Sequence, residues 1–64
     1  MRFKENDTVK ILLSKDEKIK EGDIGVILMV FENPNIAYEV EIVDENGDTK
    51  AIDTFLDDEL ELLN

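Results

Sequence analysis

The chain has 64 residues, 42% of them apolar, with no cysteine and no histidine. That length holds a single domain spanning residues 1–64, and the missing residue types exclude disulfides, Cys/His zinc sites and any nucleophile activated by histidine. The net charge of −10 is divided unevenly: residues 1–20 carry six bases and four acids, a net of +2, whereas residues 21–64 carry one base, Lys50, and thirteen acids, a net of −12. A domain this small buries only about 60% of its unfolded surface, so self-repulsion between carboxylates is a material cost that salt should relieve.

The first predicted strand is Thr8–Leu13, where Val9, Ile11 and Leu13 alternate with Thr8, Lys10 and Leu12. Ser14–Glu21 is rich in Lys, Asp and Glu, with Ile19 as its one apolar residue, and reads as a long solvated loop; a short helix is the alternative, but the segment lacks an apolar stripe to hold it. Ile24–Phe31 is apolar almost throughout, so this second strand is greasy on both faces. Either it is long and curved, wrapping between two halves of a barrel, or one face meets a partner. Gly25 near its start marks a bend or a close backbone approach.

The turn at Asn33-Pro34-Asn35 leads into a third strand, Ala37–Val43, with Tyr38, Val40 and Ile42 facing inward and Glu39 and Glu41 sharing the other face with Ala37 and Val43. Asn46-Gly47 predicts a hairpin with a two-residue type I′ turn, since both residues tolerate positive φ. A fourth strand follows over about Thr49–Phe55, then a helical turn at Asp57-Asp58-Glu59 and a short closing strand at Leu60–Leu63. These elements add up to an all-β fold: a small five-stranded SH3-like barrel with a long first loop and a helical turn before the last strand.

Two resemblances bear on this reading. Gly22-Asp23-Ile24-Gly25-Val26-Ile27 is similar to the G-D-x-G-x-I/V turn of many SH3-like barrels, including KOW-type domains. Nearly the whole chain resembles a family of small acidic bacterial proteins known only as a domain of unknown function. The likeness runs through Phe3-Lys4-Glu5-Asn6-Asp7-Thr8-Val9, the Gly-Asp-x-Gly turn, Tyr38-Glu39-Val40-Glu41-Ile42, Asp44-Glu45-Asn46-Gly47 and Asp58-Glu59-Leu60-Glu61-Leu62-Leu63. The resemblance implies an SH3-like fold. Some members of that family stand near toxin or immunity genes, which implies an association but no activity.

Chemistry is sparse. Ser14 is the only serine and has no base to activate it. Carboxylates are abundant, but so small a barrel has no room for a closed cleft that would raise a carboxylate pKa by desolvation. Asp44, Asn46 and Asp48 fit positions one, three and five of an EF-hand loop, yet Thr49 replaces the required glycine and Phe55 the bidentate glutamate. We therefore expect no enzyme, no catalytic or metal-ligating residue and no cofactor.

Nucleic acid is not the expected partner, because the acidic stretch repels phosphates and Lys15, Lys18 and Lys20 are diluted by Asp16, Glu17 and Glu21. No run approaches a membrane span, and no apolar run follows the positive charge of the N-terminus, so no signal peptide is expected and the cytoplasm is the default. The candidate partner-binding set is an acidic face: Glu39, Glu41, Asp44, Glu45, Asp48 and Asp53. It suits a basic protein partner, such as a toxin neutralised by an immunity or antitoxin-type protein. The alternative is that the charge serves only solubility and protects strand edges, in a small accessory or structural module. Leu12, Ile27, Met29, Phe31 and Phe55 form a candidate apolar patch for a homodimer or a partner.

Overall fold

The computed structural model describes residues 2–64. It is all-β, with strands β1 (Thr8–Ile11), β2 (Ile24–Phe31), β3 (Ala37–Val43), β4 (Thr49–Leu56) and β5 (Leu60–Leu62), and a 3₁₀ turn at Asp57–Glu59 between the last two. The strands form one antiparallel sheet in the order β4-β3-β2-β1-β5, curled into a small barrel-like domain. The expected five strands and the helical turn are all present. The first strand is shorter than expected: it stops at Ile11, and the Leu12 amide bonds the carbonyl of Glu59 in the 3₁₀ turn.

The interior holds Phe3, Val9, Ile11, Ile19, Ile27, Tyr38, Val40, Ile42, Phe55 and Leu60, with Leu13, Val30 and Ala51 packed around them. Burying such side chains stabilises by about 1.5–3 kcal/mol each. On β3 burial alternates without a break, placing Tyr38, Val40 and Ile42 inside. Phe3 meets Tyr38 edge-on at 5.2 Å between ring centroids, and the Tyr38 hydroxyl donates to Asp57 Oδ1 at 2.6 Å. The aromatic pair and this hydrogen bond tie the N-terminal arm and the 3₁₀ turn to the central strand.

A β-bulge explains the greasy second strand. Ile27 opposes Val40, but Met29 rather than Leu28 opposes Glu39, so Leu28 is the extra residue. Because side chains alternate with period two, one inserted residue reverses the inward phase. Gly25 and Ile27 point inward before the bulge and Val30 after it, while Met29 and Phe31 are exposed. Ile27 and Phe55, expected in a surface patch, are instead fully buried core residues. Ile27 faces inward because it pairs with the inward-facing Val40, as Phe55 does because it pairs with Tyr38; the bulge beyond Ile27 turns Met29 and Phe31 outward.

Gly25 is a site of close backbone approach: a Cβ there would lie 2.5 Å from Val40 Cγ1 and 2.9 Å from the Glu41 carbonyl. The β1–β2 connection is pinned rather than merely solvated. Ile19 is 2% exposed, the Ser14 hydroxyl accepts the Glu21 amide, and Asp16 Oδ1 accepts the amides of Lys18 and Ile19.

The β3–β4 hairpin differs from the two-residue type I′ turn. Gly47 has φ of +85°, whereas Asn46 is not in the positive-φ region. The Gly47 amide bonds the Asp44 carbonyl and the Asp44 amide bonds the Asp48 carbonyl, which leaves a three-residue loop, Glu45–Gly47. This is the turn in which a left-handed glycine follows a type I bend. The Asp44 carboxylate selects it by accepting the amides of Asn46 at 2.9 Å and Asp48 at 3.0 Å.

Candidate functional site

The outer face of β2, β3 and β4 is ordered in rows by the sheet register. Phe31, Ala37 and Leu56 make one row; Met29, Glu39 and Thr54 the next; then Val26, Glu41 and Ile52; then Ile24, Val43 and Thr49. Glu39 and Glu41 thus occupy the middle of the face, with Met29 and Thr54 beside Glu39 and Val26 and Ile52 beside Glu41. Met29 is 46% exposed and Ile52 55% exposed. The acidic strand and part of the apolar set, read from the sequence as two separate features, are here one mixed surface.

The six acidic residues do not form one face. Glu39 and Glu41 stand on the outer side of β3. Asp44, Glu45 and Asp48 belong to the hairpin, where Asp44 is occupied in holding the turn. Asp53 opposes the inward-facing Val40, so it projects from the other side of the sheet. There it lies 3.8 Å from Lys15, whose ammonium also sits 4.0 Å from the centre of the Phe55 ring. Grouping Asp53 with Glu39 and Glu41 is therefore corrected by strand parity: an odd offset along a paired strand changes face. Leu12 is exposed beside Glu59, outside the four rows.

Asp53 also closes the free edge of β4. Its carboxylate accepts the Thr54 amide, Glu59 reaches back to accept the Leu56 amide, and the Lys15 ammonium donates to the Thr54 carbonyl. Side chains thereby satisfy backbone groups that an added strand would use.

Among the described residues the ion pairs are Lys4–Asp7, Lys10–Glu61, Lys15–Asp53 and Lys50–Asp23. Among these residues Glu39 and Glu41 have no basic partner. Glu41 accepts only the Thr49 hydroxyl among side chains. Lys50, the one base of residues 21–64, is held by Asp23 at 2.8 Å. This pair lies in an open depression of about 380 Å³ between the Gly22 turn and the hairpin, lined also by Ile24, Val43, Asp44 and Glu45. Partial burial pushes the Asp23 carboxyl up, but the Lys20 amide and the Lys50 ammonium outweigh it and leave the pKa lowered.

Asp7 is the one buried acid, 4% exposed, and accepts both the amide and the ammonium of Lys4. The Lys4 side chain first, then its amide, hold the Asp7 pKa below the ordinary value, against the opposing effect of burial. The Tyr38 hydroxyl is pushed up by burial and by its bond to Asp57. Among the described residues, no three acidic side chains converge to hold a metal ion, and no helix is long and apolar enough to cross a membrane.

Sequence reasoning passed over Ile52 and Leu56. Their signal was present: counted forward from the hairpin, Ile52, Thr54 and Leu56 alternate with Ala51, Asp53 and Phe55. The Asp23–Lys50 pair joins residues distant in sequence and had no local signal.

The fold and this surface define a small, acidic, five-stranded antiparallel domain. The chain belongs to the family described as a domain of unknown function (DUF4926), which it matches over residues 5–62. No curated protein and no solved structure matches it.

Proposed function

We propose that the protein is a non-enzymatic, acidic binding module of SH3-like type that acts in the cytoplasm on a basic protein. Its sharper form is an immunity or antitoxin-type role, in which the acidic surface neutralises a basic toxin by electrostatic complementarity. The observation that carries this reading is the pair Glu39 and Glu41, solvent-facing on the central strand and without a basic neighbour within salt-bridge distance among the described residues. An unpaired carboxylate is available to a partner's cation without first giving up an internal one. The exposed hairpin acids Glu45 and Asp48 extend the same negative field. A field of this sign raises encounter rates with a basic partner by about 10- to 1,000-fold at low salt.

The non-enzymatic reading draws on the absence of histidine and cysteine and on the open shape of the depression around Asp23 and Lys50. The strand order β4-β3-β2-β1-β5, with a 3₁₀ turn leading into the last strand, supports the SH3-like assignment. The test takes a partner captured from native lysate and measures its association rate across ionic strength. Reversing both acids (Glu39→Lys with Glu41→Lys) should slow association at least ~10-fold and flatten its salt dependence. Association rates that ignore both salt and the double reversal would remove the electrostatic role.

A further inference from the structure

We infer that the outer face of β2–β3–β4 is the docking surface for a basic amphipathic helix, with Glu39 and Glu41 receiving two cations between apolar contacts. This rests on the basic-partner reading and narrows it to one surface and one kind of ligand. Two independent features point the same way. The first is apolar: Phe31 and Leu56 flank one end of the face, while Met29 and Ile52 stand beside Glu39 and Glu41 respectively, all exposed. A solvating role for the acids does not require large apolar side chains beside them, and a contiguous exposed apolar set marks an interaction surface. The second is charge: the two carboxylates at the centre of that face have no internal cation among the described residues.

Together these features choose between occupants. A second copy packed face to face would bring four carboxylates together inside an apolar contact, where each charge lacks a counterion and is costly to desolvate. A bare polycation would leave Phe31, Met29, Ile52 and Leu56 in water. A partner with apolar residues on both sides of two cations satisfies both features. Its geometry is constrained as well. Residues two apart on a strand are roughly 7 Å apart, close to the ~6 Å rise between residues four apart on a helix. Three strands span about 10 Å across the sheet, close to the ~10 Å diameter of a helix.

The experiment uses the intact chain and three labelled synthetic peptides: an amphipathic helix of Leu and Lys, a Lys/Gly peptide of equal charge, and a Leu/Gln helix without charge. Fluorescence anisotropy at moderate salt should give tightest binding for the Leu/Lys helix, by at least ~10-fold over either control. Glu39→Gln with Glu41→Gln, and separately Met29→Gln with Ile52→Gln, should each weaken it about 10-fold. Glu45→Gln with Asp48→Gln on the hairpin should change it less than ~3-fold. Because Met29 and Ile52 are exposed, their variant should keep the wild-type circular dichroism spectrum.

Equal binding of the Leu/Lys and Lys/Gly peptides, with the hairpin variant as damaging as the Glu39/Glu41 variant, would overturn this docking surface and leave the general basic-partner reading standing. Binding of the Leu/Gln helix as tightly as the Leu/Lys helix would overturn the role of the two acids. No binding of either cationic peptide would overturn both readings. A dimer in sedimentation equilibrium that dissociates on Met29→Gln with Ile52→Gln would assign the face to a second copy instead.

Discussion

The two sides of strand β3 are built from the same alternating run yet treat charge in opposite ways. On the inner side, Tyr38, Val40 and Ile42 are fully buried, and the one polar atom they contribute, the Tyr38 hydroxyl, is bonded to Asp57. Asp53, which projects on that side from β4, has Lys15 as its counterion. On the outer side, Glu39 and Glu41 have apolar neighbours and no counterion among the described residues. The chain has only seven bases for seventeen acids. Four lysines are committed to pairs with Asp7, Glu61, Asp53 and Asp23, which tie loops and strands together. Stability accounts for the paired acids, whereas the unpaired acids on the outer side of β3 contribute repulsion within the fold.

The largest effects should separate the two sides. Phe55 and Ile52 lie on the same strand, one fully buried and the other 55% exposed. Phe55→Ala should cost about 3–5 kcal/mol, through lost transfer energy and the cavity left behind. That is comparable to the whole stability of a domain this small, so the variant should be largely unfolded in water. Ile52→Ala should stay within about 0.5 kcal/mol of wild type. Urea denaturation followed by circular dichroism measures both, and equal midpoints for the two variants would erase the distinction between the sides.

A smaller effect tests where the two sides touch. Gly25 sits on β2 against Val40 and the Glu41 backbone, so an added methyl has nowhere to go without moving the central strand. Gly25→Ala should destabilise by about 1–3 kcal/mol, the range for overpacking a tight interior. It should also disturb the outer face, because the Glu41 carbonyl lies in the contact. Amide chemical shifts of Glu39, Glu41 and Val26 would report that disturbance. Changes confined to β1 would show that the strain leaves by the other route.

Strand positions were legible in the sequence because the apolar residues of β1, β3 and β4 alternate and because turn residues separate them. The inward set of β3 could be read directly, since nothing interrupts its period. On β2 the period is broken by Leu28, and a bulge leaves no signal in a run where every residue is apolar. This is why Ile27 was misplaced while Met29 and Phe31 were candidates for exposure. The hairpin position was legible from Asn46-Gly47, but its type was not, because the Asp44 side chain decides it by bonding two amides. The candidate acids were visible as residue types. Their division into an outer pair, a hairpin group and an edge-covering Asp53 depends on pairing between strands, which composition does not encode. Ile19 was legible as an isolated apolar residue in a polar loop, and only the fold gives it a place in the core.

The smallest effect distinguishes paired from unpaired acids by their response to pH. Acidification should act on this chain in two opposed ways. Neutralising carboxylates relieves the repulsion of a molecule with net charge −10, which favours the folded state. Protonating Asp7 removes the anion that holds the Lys4 amide and ammonium, which disfavours it. The sign for Asp7 follows from its lowered pKa: its contribution is fully present above the unfolded-chain value near 3.8 and is lost as pH falls through the lower folded value. Asp7→Asn should therefore be less stable than wild type at about pH 6, and the gap should narrow toward about pH 2. Glu45→Gln on the exposed hairpin tip supplies the comparison, since its loss removes charge without removing a partner. Urea midpoints at the two pH values give both differences. A gap between wild type and Asp7→Asn that stays constant with pH would mean that the Lys4 contacts hold a neutral side chain as well as a carboxylate, and that the inner acids are no more committed to the fold than the outer ones.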